Sequence, residues 1–244
     1  MNNIILFEDI NFDDLVLYSD KKDRKIFFHK SEPLAYKFFS DDWEFANQLE
    51  IAIKNGYYDK ELVPNFIGLI KDKKGLDKGY LCYRVNKEQI LENCLLKKFS
   101  LSYFKKLING SIKLTDFFSR SRYKPNSDYL IKFLDIVFSR SQKTQMLFIE
   151  VDLPNLWISN KGYHIFDLDA IRSFNWVFCQ NKNDPEYIRK IINKKNFNRD
   201  LRKIIELHGF KFPFEINYPE DIEKFLSKFR KENNLQINER SRNI

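Results

Sequence analysis

Acidic and amide side chains gather around one short stretch of this chain. Glu150-Val151-Asp152-Leu153-Pro154-Asn155 is followed by two apolar runs, Leu156-Trp157-Ile158 and Tyr163-His164-Ile165-Phe166, and then by Asp167-Leu168-Asp169. The runs flank Ser159-Asn160-Lys161-Gly162, which reads as the turn of a β-hairpin with Gly162 free to take positive φ. Three acidic or amide side chains at the mouths of a hairpin suit phosphoryl transfer with a divalent metal. One carboxylate orients an attacking hydroxyl, while an amide and a second carboxylate hold magnesium, a hard cation that prefers oxygen ligands, against the phosphates. Singly, Asp152, Asn155 and Asp167 are equally ordinary turn and cap residues. Their order around the hairpin is what singles them out.

The elements around this stretch change in periodicity along the chain. Leu15 to Phe39 is rich in β-branched and aromatic residues and is broken by the polar turn Ser19 to Asp23, which predicts an antiparallel meander. Its last strand, Leu34 to Phe39, carries Lys37 among apolar neighbours, where a charge needs a reason. Asp41 or Asp42 can cap a following helix with Phe45, Leu49, Ala52 and Ile53 on one face, ending at Gly56. Strands are predicted at Phe66 to Ile70 and Gly79 to Val85. From Lys87 the pattern turns helical, with predicted helices at Tyr129 to Phe138, Glu186 to Asn193, Asn198 to His208 and Pro219 to Lys231. In the last, Phe225, Leu226 and Phe229 fall at helical spacing, which predicts docking onto the helical half.

With 43% hydrophobic residues and 24 Phe, the 244-residue chain has the apolar material for a core, which excludes disorder. Cys82, Cys94 and Cys179 are odd in number and lack CxxC spacing, so neither a disulfide framework nor a zinc site is expected, and a reducing intracellular compartment fits. No apolar run reaches the roughly 18 residues of a membrane span, and no basic start leads into an apolar segment. His29, His164 and His208 lack metal-ligand spacing, and Trp43, Trp157 and Trp176 read as core or interface residues. The net charge of +8 is compatible with an anionic partner, but the cations are interleaved with 34 acids and are densest at Lys194 to Lys203 and Lys224 to Arg242. No nucleic-acid-reading motif accompanies them.

The hairpin segment resembles the protein-kinase-like superfamily, whose pattern is a catalytic Asp, a metal-binding Asn opening a hairpin and a metal-binding Asp closing it. The resemblance implies a two-lobed α+β fold, with a small antiparallel-sheet lobe with one helix at residues 1–86 and a mainly helical lobe at 87–244. It implies ATP and magnesium as cofactors, Asp152 as base, Asn155 and Asp167 as metal ligands, and Asp169 as the alternative to Asp167. Lys37 looks like the family's phosphate-binding lysine, with Glu50, in preference to Glu44, as its helix partner. Adenine would then contact backbone at Arg84, Val85 and Asn86. The Ser19 to Arg24 turn contains no glycine, Glu150-Val151 stands in place of the family's usual His, two residues rather than four separate Asp152 from Asn155, and no Ala-Pro-Glu segment follows. Within the superfamily these features look most like the compact bacterial lipopolysaccharide core kinases. They imply an anionic sugar or glycolipid acceptor and a cytoplasmic chain peripheral to the inner membrane. The rival expectation is a pseudokinase that binds nucleotide or regulates a partner.

Overall fold

The structure is a computed structural model that describes residues 3–40, 46–96, 126–178, 181 and 183–235. Asp41, Asp42, Trp43, Glu44, Phe45, Cys179, residues 97–125 and the basic tail after Leu235 lie outside the described residues. The fold is mixed α+β. Strands β1 (Ile4–Leu6), β2 (Leu15–Lys21), β3 (Arg24–His29), β4 (Leu34–Phe39), β5 (Phe66–Lys71) and β6 (Asp77–Tyr83) form one sheet in the order β1-β5-β6-β4-β3-β2. Only β1 runs parallel to its neighbour. Helix α1 (Ala46–Lys54) follows β4, and its Leu49, Ala52 and Ile53 are buried as expected.

Alternation along the strands gives the sheet two apolar faces. Ile26, Lys37 and Tyr80 stand opposite one another across β3, β4 and β6. Phe39, Tyr80 and Cys82, at two-residue steps on that face, join the main core. The other face, with Phe27, Leu34, Tyr36, Phe38, Ile70 and Leu81, is covered by Ile5, Phe7 and Ile10 from the N-terminal stretch. That stretch supplies β1, an element too short to stand out as periodic sequence. Strand β6 starts at Asp77 and stops at Tyr83, two residues short of the expected Val85, because the Arg84 N–H donates to Pro33 O (2.8 Å) and Asn86 caps a 3-10 turn at Lys87–Gln89.

The second half comprises α2 (Leu91–Leu96), α3 (Ser127–Thr144), β7 (Met146–Phe148), β8 (Leu156–Ser159), β9 (Gly162–Ile165), β10 (Ile171–Ser173), α4 (Phe174–Val177), α5 (Pro185–Leu207) and α6 (Ile222–Glu232). β8 and β9 make the expected hairpin, and β7 pairs antiparallel with β10 on the other side of the acidic tripeptide. Helix α3 outgrows its predicted span because Asn126 caps it, accepting from the N–H groups of Asp128 and Tyr129, and Gln145 ends it in a left-handed conformation. The two helices expected between Glu186 and His208 are one. Asp184 and Pro185 start α5, and inside it Asn198, expected to begin a second helix, donates from its buried amide to Lys194 O (3.2 Å) and Ile216 O (3.1 Å). α6 begins at Ile222, after the turn that holds Pro219, and buries Phe225 and Phe229. One core runs from Phe39 and Tyr80 through Leu62 and Phe148 to Phe229, and so crosses the boundary expected at residue 86. No described helix is long and apolar enough to cross a membrane.

One glycine governs the placement of Lys37. Gly79 pairs with Phe38 at φ +157°, and a Cβ there would lie 2.0 Å from Lys37 O. Strand β6 can therefore run beside β4 only with glycine at this position. The Gly79→Ala protein is expected to lose about 3 kcal/mol of stability. Urea denaturation measures this, and a loss under about 0.5 kcal/mol contradicts the assignment.

Candidate functional site

Lys37 points from the middle of β4 to the acidic tripeptide that follows the hairpin. Its Nζ donates to Asp167 Oδ1 (2.5 Å) and to Asp169 Oδ1, with only 7% of the lysine side chain and 3% of Asp169 exposed. Between the two acids Leu168 is fully buried, and its carbonyl accepts from the Tyr58 hydroxyl (3.0 Å). The tripeptide thus alternates like a strand, with the carboxylates toward Lys37 and the leucine anchored in the core. Asp167 lies two residues past the end of β9, and the intervening Phe166 donates its N–H to Asn155 O (2.7 Å). This bond holds the two open ends of the hairpin beside each other.

Arg24, at the start of β3, reaches the same carboxylates. Its Nη1 lies 3.3 Å from Asp169 Oδ2 and 3.5 Å from Asp167 Oδ2. Sequence reasoning missed this residue, although strand register could have found it. Ile26 pairs with Lys37, so Arg24, two residues earlier, shares Lys37's face.

Burial opposes charge on every member of the cluster, and the neighbours decide the outcome. Burial pulls Lys37 down, but Asp167 and Asp169 raise its pKa above the ordinary lysine value. For Asp167, burial is outweighed by Lys37, a hydrogen bond with Asp169 and Arg24, which hold it well below the usual carboxylate range. Asp169 is pushed up by burial and by the adjacent Asp167 charge. The pair divides its protons unequally.

The remaining expected residues occupy the loop before the hairpin. Asn155 Nδ2 donates to Glu150 O (3.3 Å) and Oε2 (3.0 Å); both partners are acceptors, so the amide orientation is fixed and its Oδ1 is left to accept. Burial and the charge of Asp167 push Glu150 up. Asp152 has a buried Oδ1 with no hydrogen-bond partner, and burial, then Asp200 and Glu150, push its carboxyl up to about 6. On α5, Asp200 is itself paired with Arg199 (3.0 Å) and Lys203 (3.1 Å), so Asp152 faces a partly neutralised neighbour.

Glu50 is a correction. It is bound by Lys54 (2.7 Å) and Lys71 (3.0 Å), and Lys71 also holds Asp77 (2.9 Å), so the expected Lys37–Glu50 ion pair is replaced by Lys37 with two aspartates. Leu49 and Ile53 take the core-facing side of α1, and Glu50, about 100° further round, meets the end of the sheet where Lys71 and Asp77 pair across β5 and β6. Arg84 packs over the Phe28 ring (5.2 Å) and donates to Glu32 O (3.4 Å). Its neighbour Val85 makes no backbone bond to another described backbone group. His164, between Ser159 Oγ and Glu61 O (both 2.8 Å), and His208, between the Tyr163 hydroxyl (2.6 Å) and Ile204 O (2.7 Å), fasten the hairpin to its surroundings.

Compared with known proteins, the sequence matches no family model and no curated protein.

The hairpin's anchor titrates. Burial holds His208 down at about 4, so the neutral ring contributes stability that is complete above the ordinary histidine range and is lost as pH falls toward 4. Between pH 7 and pH 5 this contribution should drop by about 2 kcal/mol. His208→Gln should remove that part of the wild-type acid sensitivity. Denaturation at the two pH values measures it, and an unchanged acid sensitivity contradicts the assignment.

Proposed function

We propose that the chain is an ATP- and magnesium-dependent phosphotransferase of two-lobed, protein-kinase-like fold that acts on a hydroxyl of a sugar or lipopolysaccharide core. The observation that carries the reading is the buried contact of Lys37 with Asp167 and Asp169, which joins a strand lysine to the acids closing the hairpin across 130 residues of sequence. The antiparallel strand succession β2-β3-β4-β6-β5, with a helix after the lysine strand, supports it.

Each residue then has a task. The Lys37 ammonium holds phosphate oxygens, and its conversion from a carboxylate partner to a phosphate partner keeps it charged throughout. Asp152 receives the proton of the acceptor hydroxyl, for which an unpartnered oxygen and a pKa near neutrality are suited. Among the described residues no three His, Cys, Asp or Glu side chains form a metal cluster. The oxygen set of Asp167, Asp169 and Asn155 Oδ1 nevertheless fits magnesium, because it is composed of hard donors and the two acids supply the charge now balanced by Lys37 and Arg24. When bound, magnesium neutralises charge on the transferring group. The backbone of Arg84 to Asn86, Val85 in particular, is the adenine-facing segment. Arg199 and Lys203, near Asp152, favour an anionic acceptor, which fits a glycan presented at the cytoplasmic face of the inner membrane.

A pseudokinase is the second reading. The engagement of Lys37 by two acids, with Glu50 paired elsewhere, favours it.

ATP with magnesium should raise the unfolding midpoint, by an amount equivalent to about 2.7 kcal/mol at a hundredfold excess over Kd. Lys37→Ala and Asp167→Ala should each reduce the shift, and no shift at millimolar nucleotide would remove both readings. Asp152→Asn should lower transfer to a phosphorylated or carboxylated sugar by about 100-fold or more while leaving nucleotide affinity within about twofold. Nucleotide binding with no transfer to sugar, glycolipid or protein acceptors in wild type would leave the regulatory module.

A further inference from the structure

Among the described residues, the Arg24 side chain bonds its neighbours through one nitrogen alone, Nη1. Its two carboxylate contacts, 3.3 and 3.5 Å, are long beside the roughly 2.7–2.9 Å of a charge-assisted hydrogen bond. A guanidinium has five N–H donors, and neither Nε nor Nη2 of Arg24 bonds a described residue. With 26% of its side chain exposed, against 7% for Lys37, it lies on the solvent side of the acid pair. It thus has both the charge and the spare donors for a further anion.

The turn before it explains why a side chain is needed. Lys21 pairs with Arg24, so Lys22 and Asp23 alone form the β2–β3 turn, and the Asp23 carbonyl is tied to the Ser40 N–H (3.0 Å) at the end of β4. Without glycine the turn brings its backbone close to a phosphate less readily, whereas Arg24 already reaches the acids beneath it. We infer that Arg24 is a phosphate-binding residue of the nucleotide site, supplying from a guanidinium what a glycine-rich turn supplies from backbone N–H groups. The inference rests on the nucleotide-binding reading above. Planar guanidinium donors bind phosphate oxygens in pairs, so an incoming phosphate is a better partner for Arg24 than two distant single contacts.

A purely structural clamp on the aspartates makes a different prediction, because saturating magnesium neutralises those acids whether or not Arg24 is present. Affinities of ATP and of adenosine should therefore be measured at saturating magnesium for wild type, Arg24→Ala and Arg24→Lys, with the nucleotide-free unfolding midpoint of each protein as the folding control. Expected is a loss of about tenfold or more in ATP affinity for Arg24→Ala, unchanged adenosine affinity, and partial recovery in Arg24→Lys. If Arg24→Ala does not fold, Arg24→Gln takes its place. Wild-type ATP binding with no loss in the variant, or equal loss for ATP and adenosine, overturns the role of Arg24 alone. Absence of ATP binding in wild type overturns the nucleotide reading and this inference together.

Discussion

A lysine ammonium buried in the middle of a strand is the constraint on which the rest of the structure depends. Taking Lys37 out of water costs several kcal/mol unless its charge is met, and removing one partner of such a buried pair costs about 3–5 kcal/mol. Two carboxylates meet it, and they come from the far side of the chain, so the sheet and the hairpin half must be held in one relation. Gly79 lets β6 run beside the lysine strand, Leu168 fixes the tripeptide in the core, and the Phe166–Asn155 bond closes the open end of the hairpin between Asp152 and Asp167. The core crosses from one half to the other at the same place.

Two acids in one buried site cannot both ionise freely, and this makes the pair asymmetric. Asp167, favoured by Lys37 and Arg24, keeps its charge, while Asp169 bears most of the repulsion. Arg172 donates to the Asp169 carbonyl (2.5 Å) and the Ile171 carbonyl (2.7 Å) and stacks over Trp176 (5.2 Å), so the strand leaving the acids is fixed from behind. Asp152 stands apart from this cluster, with Glu150 and Asp200 as its electrostatic neighbours. The arrangement separates a strongly paired group of charges from one lightly solvated carboxyl, the division that the proposed separation of binding and proton-transfer roles requires.

Much of this was legible in the sequence because it depended on local chemistry. The hairpin around Gly162, the lysine strand and the apolar faces of α1, α3 and α6 follow from alternation, helical spacing and turn residues. What was not legible is long-range. Glu50 sits on the expected helix, but its partner depends on which way α1 is rotated over the sheet, and Lys71 and Asp77 lie on the side it faces. Arg24 joins the acids through strand register, which a linear reading does not supply without pairing β3 to β4. The helix expected to begin at Asn198 is instead continuous with the one before it, because the Asn198 side chain bonds Lys194 O and Ile216 O inside α5. The short β1 is set by its pairing with β5 and the packing of Ile5.

The central claim is that the Lys37–Asp167–Asp169 cluster is built to exchange its internal ion pairs for a metal and phosphates. A crystal structure with magnesium and a non-hydrolysable ATP analogue tests it most directly. The account predicts phosphate oxygens within hydrogen-bond distance of Lys37, the metal on Asp167 and Asn155, and the adenine beside Val85. Nucleotide bound away from this cluster, with Lys37 still paired to both aspartates, would contradict it.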